Sequence, residues 1–122
     1  MFRRWHADPD VHPFVLCQGD SLLGYGEVWI DPAEREVELA RIIVAPPHRG
    51  RGVGRELVHL LLKRAASSGF RDAFVRVFPD NTAAIACYLG AGFSMVSTTE
   101  QQQYNAGQPV DYLWMRTPVP NS

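Results

Sequence analysis

The sequence has two cysteines in 122 residues. Cys17 and Cys87 lie far apart, in neither a metal-ligand nor a redox spacing, and a reduced, cytoplasmic protein is the plain expectation. His6, His12, His48 and His59 show no ligand spacing either, so no metal is expected. Formal net charge is only −1, which leaves no global basic field for nucleic acid. No apolar run approaches the length of a membrane span. The arginines near Met1 are not followed by the apolar core of a signal peptide. Internal repeats and low-complexity segments are absent. No lysine follows a glycine anywhere, which rules out a Walker A loop. What is present is 46% hydrophobic residues, enough for an ordinary core, in a length that suits a single domain over residues 1–122.

The arginines that do occur gather at Arg49-Gly50-Arg51-Gly52-Val53-Gly54-Arg55, between an extended apolar run (39–44) and an amphipathic run (56–68). A strand, a glycine-rich turn and a helix form the geometry that receives a phosphate. The first amides of the helix lack intrahelical partners, and its dipole puts about half a positive charge there. Gly50, Gly52 and Gly54 let backbone approach a ligand, and Arg49, Arg51 and Arg55 add charge. The dinucleotide fingerprint G-x-G-x-x-G fails on spacing, because its last position falls on Arg55 or Leu57. The spacing present is Arg49-x-x-Gly52-x-Gly54, and a pyrophosphate site is expected.

Along the chain, Pro9, Asp10 and Pro13 should break regular structure before residue 14, leaving a short strand or packed arm. Residues 14–30 read as a hairpin turning at 18–21. A third strand over 36–45 alternates Glu36, Glu38, Ala40, Ile42 and Val44 on one side with Val37, Leu39, Arg41 and Ile43 on the other. The following helix has Val53, Leu57, Val58, Leu61, Leu62 and Ala65 at helical spacing, with Gly69 as its stop. A strand over 70–78 completes a β-α-β unit that should be parallel. Asn81 or Thr82 can cap a short helix over 83–89. Two strands are expected after Phe93, one ending near Gln103 and one over 110–116, with residues 118–122 loose.

Two flanking stretches give the arginine-glycine loop its context. Glu38-Leu39-Ala40-Arg41-Ile42-Ile43-Val44-Ala45-Pro46 precedes it, and Asn81-x-x-Ala84-x-x-x-Tyr88-x-x-x-Gly92-Phe93 follows. With the loop, they resemble motifs A and B of the GNAT (GCN5-related N-acetyltransferase) superfamily, over roughly residues 14–117. The resemblance implies an α/β (α+β) fold, a mixed sheet of about six or seven strands with two main helices. The family's N-terminal helical part is shortened here, so the acceptor pocket is either open or completed by another subunit, in a monomer or homodimer. It implies acetyl-CoA as cosubstrate and a small-molecule or peptide amine as acceptor. It places the acyl group and pantetheine amides on the backbone of Ile42, Ile43 and Val44, and the pyrophosphate on Gly50, Arg51, Gly52, Val53, Gly54 and Arg55 with Arg49. Asn81 would contact the pantetheine arm, and Tyr88 would return a proton to the departing thiolate.

The chemistry asks for little else. An alkyl ammonium, with a pKa of about 10, must lose a proton before it attacks a thioester. Glu38 is the first candidate to receive it, Glu27 the second, with Glu36 or water remaining. Clustered carboxylates would raise one another's pKa, which favours a base; the same residues also suit a solvated sheet face. Gly19-Asp20-Ser21-Leu22 resembles a hydrolase signature, but no Asp-x-x-His follows, and Asp-Ser is ordinary turn chemistry. The alternative function is a non-catalytic acyl-CoA-binding or regulatory module on the same fold.

Overall fold

The expected hairpin forms and extends at both ends. In the computed structural model, which describes residues 10–119, β1 (Asp10–Gln18) and β2 (Ser21–Asp31) pair antiparallel. The arm expected over residues 1–13 therefore becomes strand from Asp10; residues 1–9 lie outside the described residues. Pro13 does not break β1, because β1 is an edge strand with only β2 beside it, and a proline without an N–H is tolerated on an edge. β3 (Glu36–Val44) pairs antiparallel with β2, and β4 (Asp72–Val77) pairs parallel with β3. β6 (Leu113–Pro118) and the two-residue β5 (Ser94–Met95) complete a mixed sheet in the order β1-β2-β3-β4-β6-β5.

α1 (Val53–Ala65) connects β3 to β4. It begins three residues earlier than its amphipathic run, because Gly52 turns the chain at a φ of 79° and Val53 is already helical. A 3-10 turn over Ala66–Ser68 and left-handed Gly69 end it. Leu57, Val58, Leu61, Leu62 and Ala65 are buried against Val28, Val37, Leu39 and Val75 of the sheet. Its opposite side carries exposed Arg55, Glu56, His59, Lys63 and Arg64. The helix can lie this close because β2 presents glycine beneath it: a Cβ on Gly26 would come within 2.7 Å of Leu61 Cδ1. Burial of each large side chain contributes about 1.5–3 kcal/mol. That packing matters here, since β3 and β4 pair at only two positions, Val37–Ala73 and Glu38–Phe74.

The alternation expected along β3 fails in the middle of the strand. Between Tyr25–Ile43 and Glu27–Ala40 the register gains one residue on β3, and Arg41 stands at a φ of 53°. A bulge of this kind reverses which face each later residue takes. Val37 and Leu39 face α1 before it, and Ile42 packs against the same core after it. Val44 follows Ile42, within 3.5 Å of a Cβ built on Gly54. Ile43, which strict alternation would put on the side of Val37 and Leu39, is exposed.

The strand expected to end near Gln103 is instead β5 followed by α3 (Thr98–Asn105). Ser97 and Glu100 form a capping box, so two of the first backbone donors are satisfied reciprocally. That S-x-x-E signal is in the sequence. α3 replaces a β-ladder along β6 with side-chain amides: Gln101 exchanges two hydrogen bonds with the Trp114 backbone, and Asn105 does so with Tyr112. Phe74, Val96, Tyr104 and Trp114 form a second core beneath it. α2 (Thr82–Gly90) packs against α1, with Ile85 and Tyr88 against the main core. The C-terminal strand runs through Pro118, which is not loose, and Val119 N–H donates to the Arg71 carbonyl at 2.7 Å. Among the described residues no helix is long and apolar enough to cross a membrane.

Candidate functional site

Beyond Glu38 and Phe74, β3 and β4 part, and β4 continues its pairing with β6 as far as Val77–Leu113. The gap so opened is one wall of a cleft of about 810 Å³, within the roughly 300–1,000 Å³ of small-molecule sites. Ile42, Ile43 and Val44 line it from β3. Arg49, Gly50, Gly52, Gly54 and Arg55 line it from the loop and the start of α1. Asn81, Cys87 and Tyr88 line it from α2. The three motifs, separated by up to fifty residues, thus meet around one space. Arg51 and Val53 do not line it.

The loop end of the cleft gathers cations and backbone donors. Gly52 is the N-cap of α1 and supplies no side-chain hydrogen bond, and Glu56 N–H is the first donor in the helix to find a carbonyl, that of Gly52 at 3.1 Å. Amides of the first turn are therefore uncapped. Arg49 ties the loop to the strand, its Nε donating to the Val44 carbonyl at 3.1 Å. At the start of α2 the corresponding amide is already used, since Asn81 Oδ1 accepts from Ala84 N–H at 3.2 Å. Asn81 is a helix cap that also lines the cleft. Sequence reasoning missed Ala83, Ala84, Ala86 and Cys87, which line the α2 wall. The signal was a helix with unusually small residues on the side facing Gly54, where a Cβ would come within 3.4 Å of Cys87 Sγ.

Tyr88 lines the α2 wall, half-buried, with its ring edge-to-face on Phe93 at 5.6 Å. Burial pushes its phenol up to about 12, with further upward contributions from Cys87 and the Glu38 carboxylate. The Cys87 thiol is likewise pushed up by burial, against the opposing charge of Arg55.

The carboxylates are not a solvated face. Glu27, Glu36 and Glu38 are 4%, 8% and 1% exposed. Glu38 is gripped by Arg76, Nε to Oε2 at 2.7 Å and Nη2 to Oε1 at 3.3 Å. Arg76 also donates to Gln108 Oε1 at 3.1 Å and lies over the rings of Tyr112 and Trp114. Glu27 stands opposite Ala40, while Trp29 stands opposite Glu38, so the two glutamates are diagonal neighbours across the strands. Glu27 accepts from the Tyr25 hydroxyl and from Trp29 Nε1 at 2.6 Å, and Arg41 Nη1 lies 3.8 Å away. Burial raises its carboxyl, but those two hydrogen bonds and Arg41 together outweigh burial and hold it below the ordinary value. The expectation that clustering lifts the glutamates towards neutrality is therefore wrong for Glu27: its neighbours are donors and a cation, which stabilise the charged form.

A family model described as acetyltransferase (GNAT) family matches residues 1–93. The mycothiol acetyltransferase of Corynebacterium glutamicum (strain R) is 30% identical over 95 residues, 77% of this chain and 31% of that protein. The chain thus spans about a third of the length of that curated relative. Among solved structures, nourseothricin acetyltransferase is similar at a TM-score of 0.72 and 30% identity, over 96% of this chain and 71% of that one. The spermidine N-acetyltransferase of Vibrio cholerae, solved with CoA and spermine, shares the fold at a TM-score of 0.71 and 24% identity, over 89% and 66% of the two chains. The mixed six-stranded sheet, the parted strands and the matched sequence motifs agree with these likenesses, and the chain belongs to the acetyltransferase (GNAT) family.

Proposed function

We propose that the chain transfers an acetyl group from acetyl-CoA to a primary amine by direct attack. The observation that carries this is the cleft itself, which brings an uncapped helix start and two arginines together with a half-buried phenol in one space. The loop end fits a pyrophosphate: backbone donors, a helix dipole and guanidinium groups converge there. β3 residues 42–44 have no strand beside them on the β4 side, so their backbone there, apart from the Val44 carbonyl that accepts from Arg49, can meet an extended amide-bearing arm. The acceptor nitrogen forms a C–N bond to the thioester carbonyl carbon as the C–S bond breaks. Its proton passes to a carboxylate, directly or through water, and the sulfur takes a proton from Tyr88 Oη.

The proton balance at Tyr88 can be weighed. A phenol near 12 is fully protonated at neutral pH. A free thiol titrates at about 8.5, so donation to a solvated thiolate would run uphill by about 5 kcal/mol at 1.36 kcal/mol per unit. The same burial raises a thiol in this cleft, as Cys87 illustrates, and that narrows the gap. For the amine's proton, Glu38 is favoured over Glu27. Glu38's charge is felt at Tyr88; both carboxylates are already engaged, Glu38 by Arg76 and Glu27 by Tyr25, Trp29 and Arg41, so nearness to Tyr88 is what ranks Glu38 first.

The test is release of free CoA from acetyl-CoA with a panel of amines, in wild type and Tyr88→Phe. Amine-dependent release that falls sharply in the variant, with acetyl-CoA affinity kept, supports the reading. Tight acetyl-CoA binding without release for any amine would establish the non-catalytic module instead.

A further inference from the structure

The donor reading leaves unexplained one residue beside the cleft-lining Arg55. Gly90 is the last residue of α2. Glycine is among the poorest helix formers, and Gly90 does not have the positive φ that would call for it. What it does is leave room for another side chain. A Cβ on Gly90 would stand 2.4 Å from Arg55 Nη2, 3.1 Å from Cζ and 3.2 Å from Nε. The whole guanidinium therefore rests against the bare Cα of Gly90.

Arg55 is itself out of place by helix electrostatics. It is the third residue of α1, where the dipole is positive and a cation is unfavourable. Two features offset this. The C-terminal end of α2, on which the guanidinium rests, is the negative end of that helix. The cleft that Arg55 lines is the one whose loop end suits an anion. Its charge also reaches Cys87, one turn back along α2 on the cleft wall.

We infer that Gly90 is a positioning residue: its missing side chain seats the Arg55 guanidinium between α1 and α2, at the cleft's edge, ready for a phosphate of the donor. This rests on the acyl-CoA reading above. A guanidinium already held in place loses less rotamer freedom when it forms charge-assisted hydrogen bonds. Any side chain at position 90 would force it off the α2 terminus.

The experiment compares wild type, Gly90→Ala, Arg55→Ala and the double variant. Affinity is measured for CoA by calorimetry and for pantetheine, which lacks every phosphate, by chemical-shift titration. Gly90→Ala should weaken CoA about tenfold, the loss of one charge-assisted contact, and leave pantetheine unchanged. Its thermal midpoint should hold or rise, since alanine is the better helix former. In the Arg55→Ala background it should cost nothing more, and in Arg55→Lys, whose thin ammonium needs no flat seat, little more. Unchanged CoA affinity in Gly90→Ala would overturn the inference, as would an equal loss for both ligands or an equal further loss without Arg55. Wild type that fails to bind CoA at all would instead overturn the donor reading, and the inference with it.

Discussion

The ion pair between Glu38 and Arg76 is the feature whose removal has the most calculable effect. Glu38 is 1% exposed and the Arg76 side chain 16%, so solvent screens the pair little. Arg76→Met removes the guanidinium, keeps a long side chain against Tyr112 and Trp114, and leaves a buried carboxylate without its cation. Breaking a buried pair from one side costs about 3–5 kcal/mol, while replacing both members by apolar groups is often neutral. Against a total stability of about 5–15 kcal/mol, the single variant loses about a fifth or more. With a urea m-value of about 2 kcal/mol/M, its midpoint should fall by roughly 2 M. Arg76→Met with Glu38→Met should recover most of that loss, giving a coupling energy of about 2 kcal/mol or more. Urea denaturation of the four proteins, followed by tryptophan fluorescence, measures the cycle. A coupling energy below about 0.5 kcal/mol would refute the reasoning, because the two residues would then behave as independent sites. Glu38→Gln adds the functional half: if Glu38 receives the amine's proton, turnover falls while acetyl-CoA affinity stays.

Three further outcomes are expected. Gly52→Val forces a β-branched residue into a φ of 79°, at a cost of about 1–2 kcal/mol or more. The loop should relax away from its left-handed turn, and calorimetric affinity for acetyl-CoA should fall at least tenfold; unchanged affinity would remove the pyrophosphate assignment. Burial holds Tyr88 protonated up to about pH 12, so kcat/KM should rise with pH as the acceptor ammonium, near 10, loses its proton. A decline that begins near pH 8 or 9 in a pH–rate profile would count against Tyr88 as proton donor. Ser97→Ala breaks the α3 capping box and should cost about 1 kcal/mol. The Glu100 carboxyl lies below its ordinary value, chiefly through its hydrogen bond from the Ser97 backbone, helped by the Ser97 side chain and Arg116. A depressed carboxyl contributes stability that is full above its unfolded pKa and lost as pH falls through the folded one. The gap between wild type and Glu100→Gln in urea should therefore close on acidification from about pH 7 to pH 3.

The fold was legible wherever local chemistry settles a position. Gly19 turns the hairpin and Gly69 stops the first crossover helix, each through a left-handed backbone that few residues permit, and Asn81 starts the second through its side-chain cap. The face of α1 could be read because 3.6-residue periodicity needs no knowledge of the partner surface. α3 was misread although Ser97 and Glu100 spell its start, because its sequence, Thr98 to Asn105, has almost no apolar periodicity. It is held by Gln101 and Asn105 bonding to a strand, an arrangement that exists only once β6 is in place.

By itself, the sequence determined that a strand, an arginine-glycine loop and a helix would follow one another, with free amides at the helix start, because glycine conformations and helix-end amides are properties of a few consecutive residues. Tertiary structure alone decided the rest. The bulge at Arg41 turned Ile42 and Val44 towards α1, since which face a residue takes depends on register with a neighbouring strand. Glu38 was given to Arg76, thirty-eight residues away, and Glu27 to Tyr25 and Trp29, so carboxylates that looked alike in the chain differ in the fold. Gly90 gained a reason only when Arg55 was found lying on it.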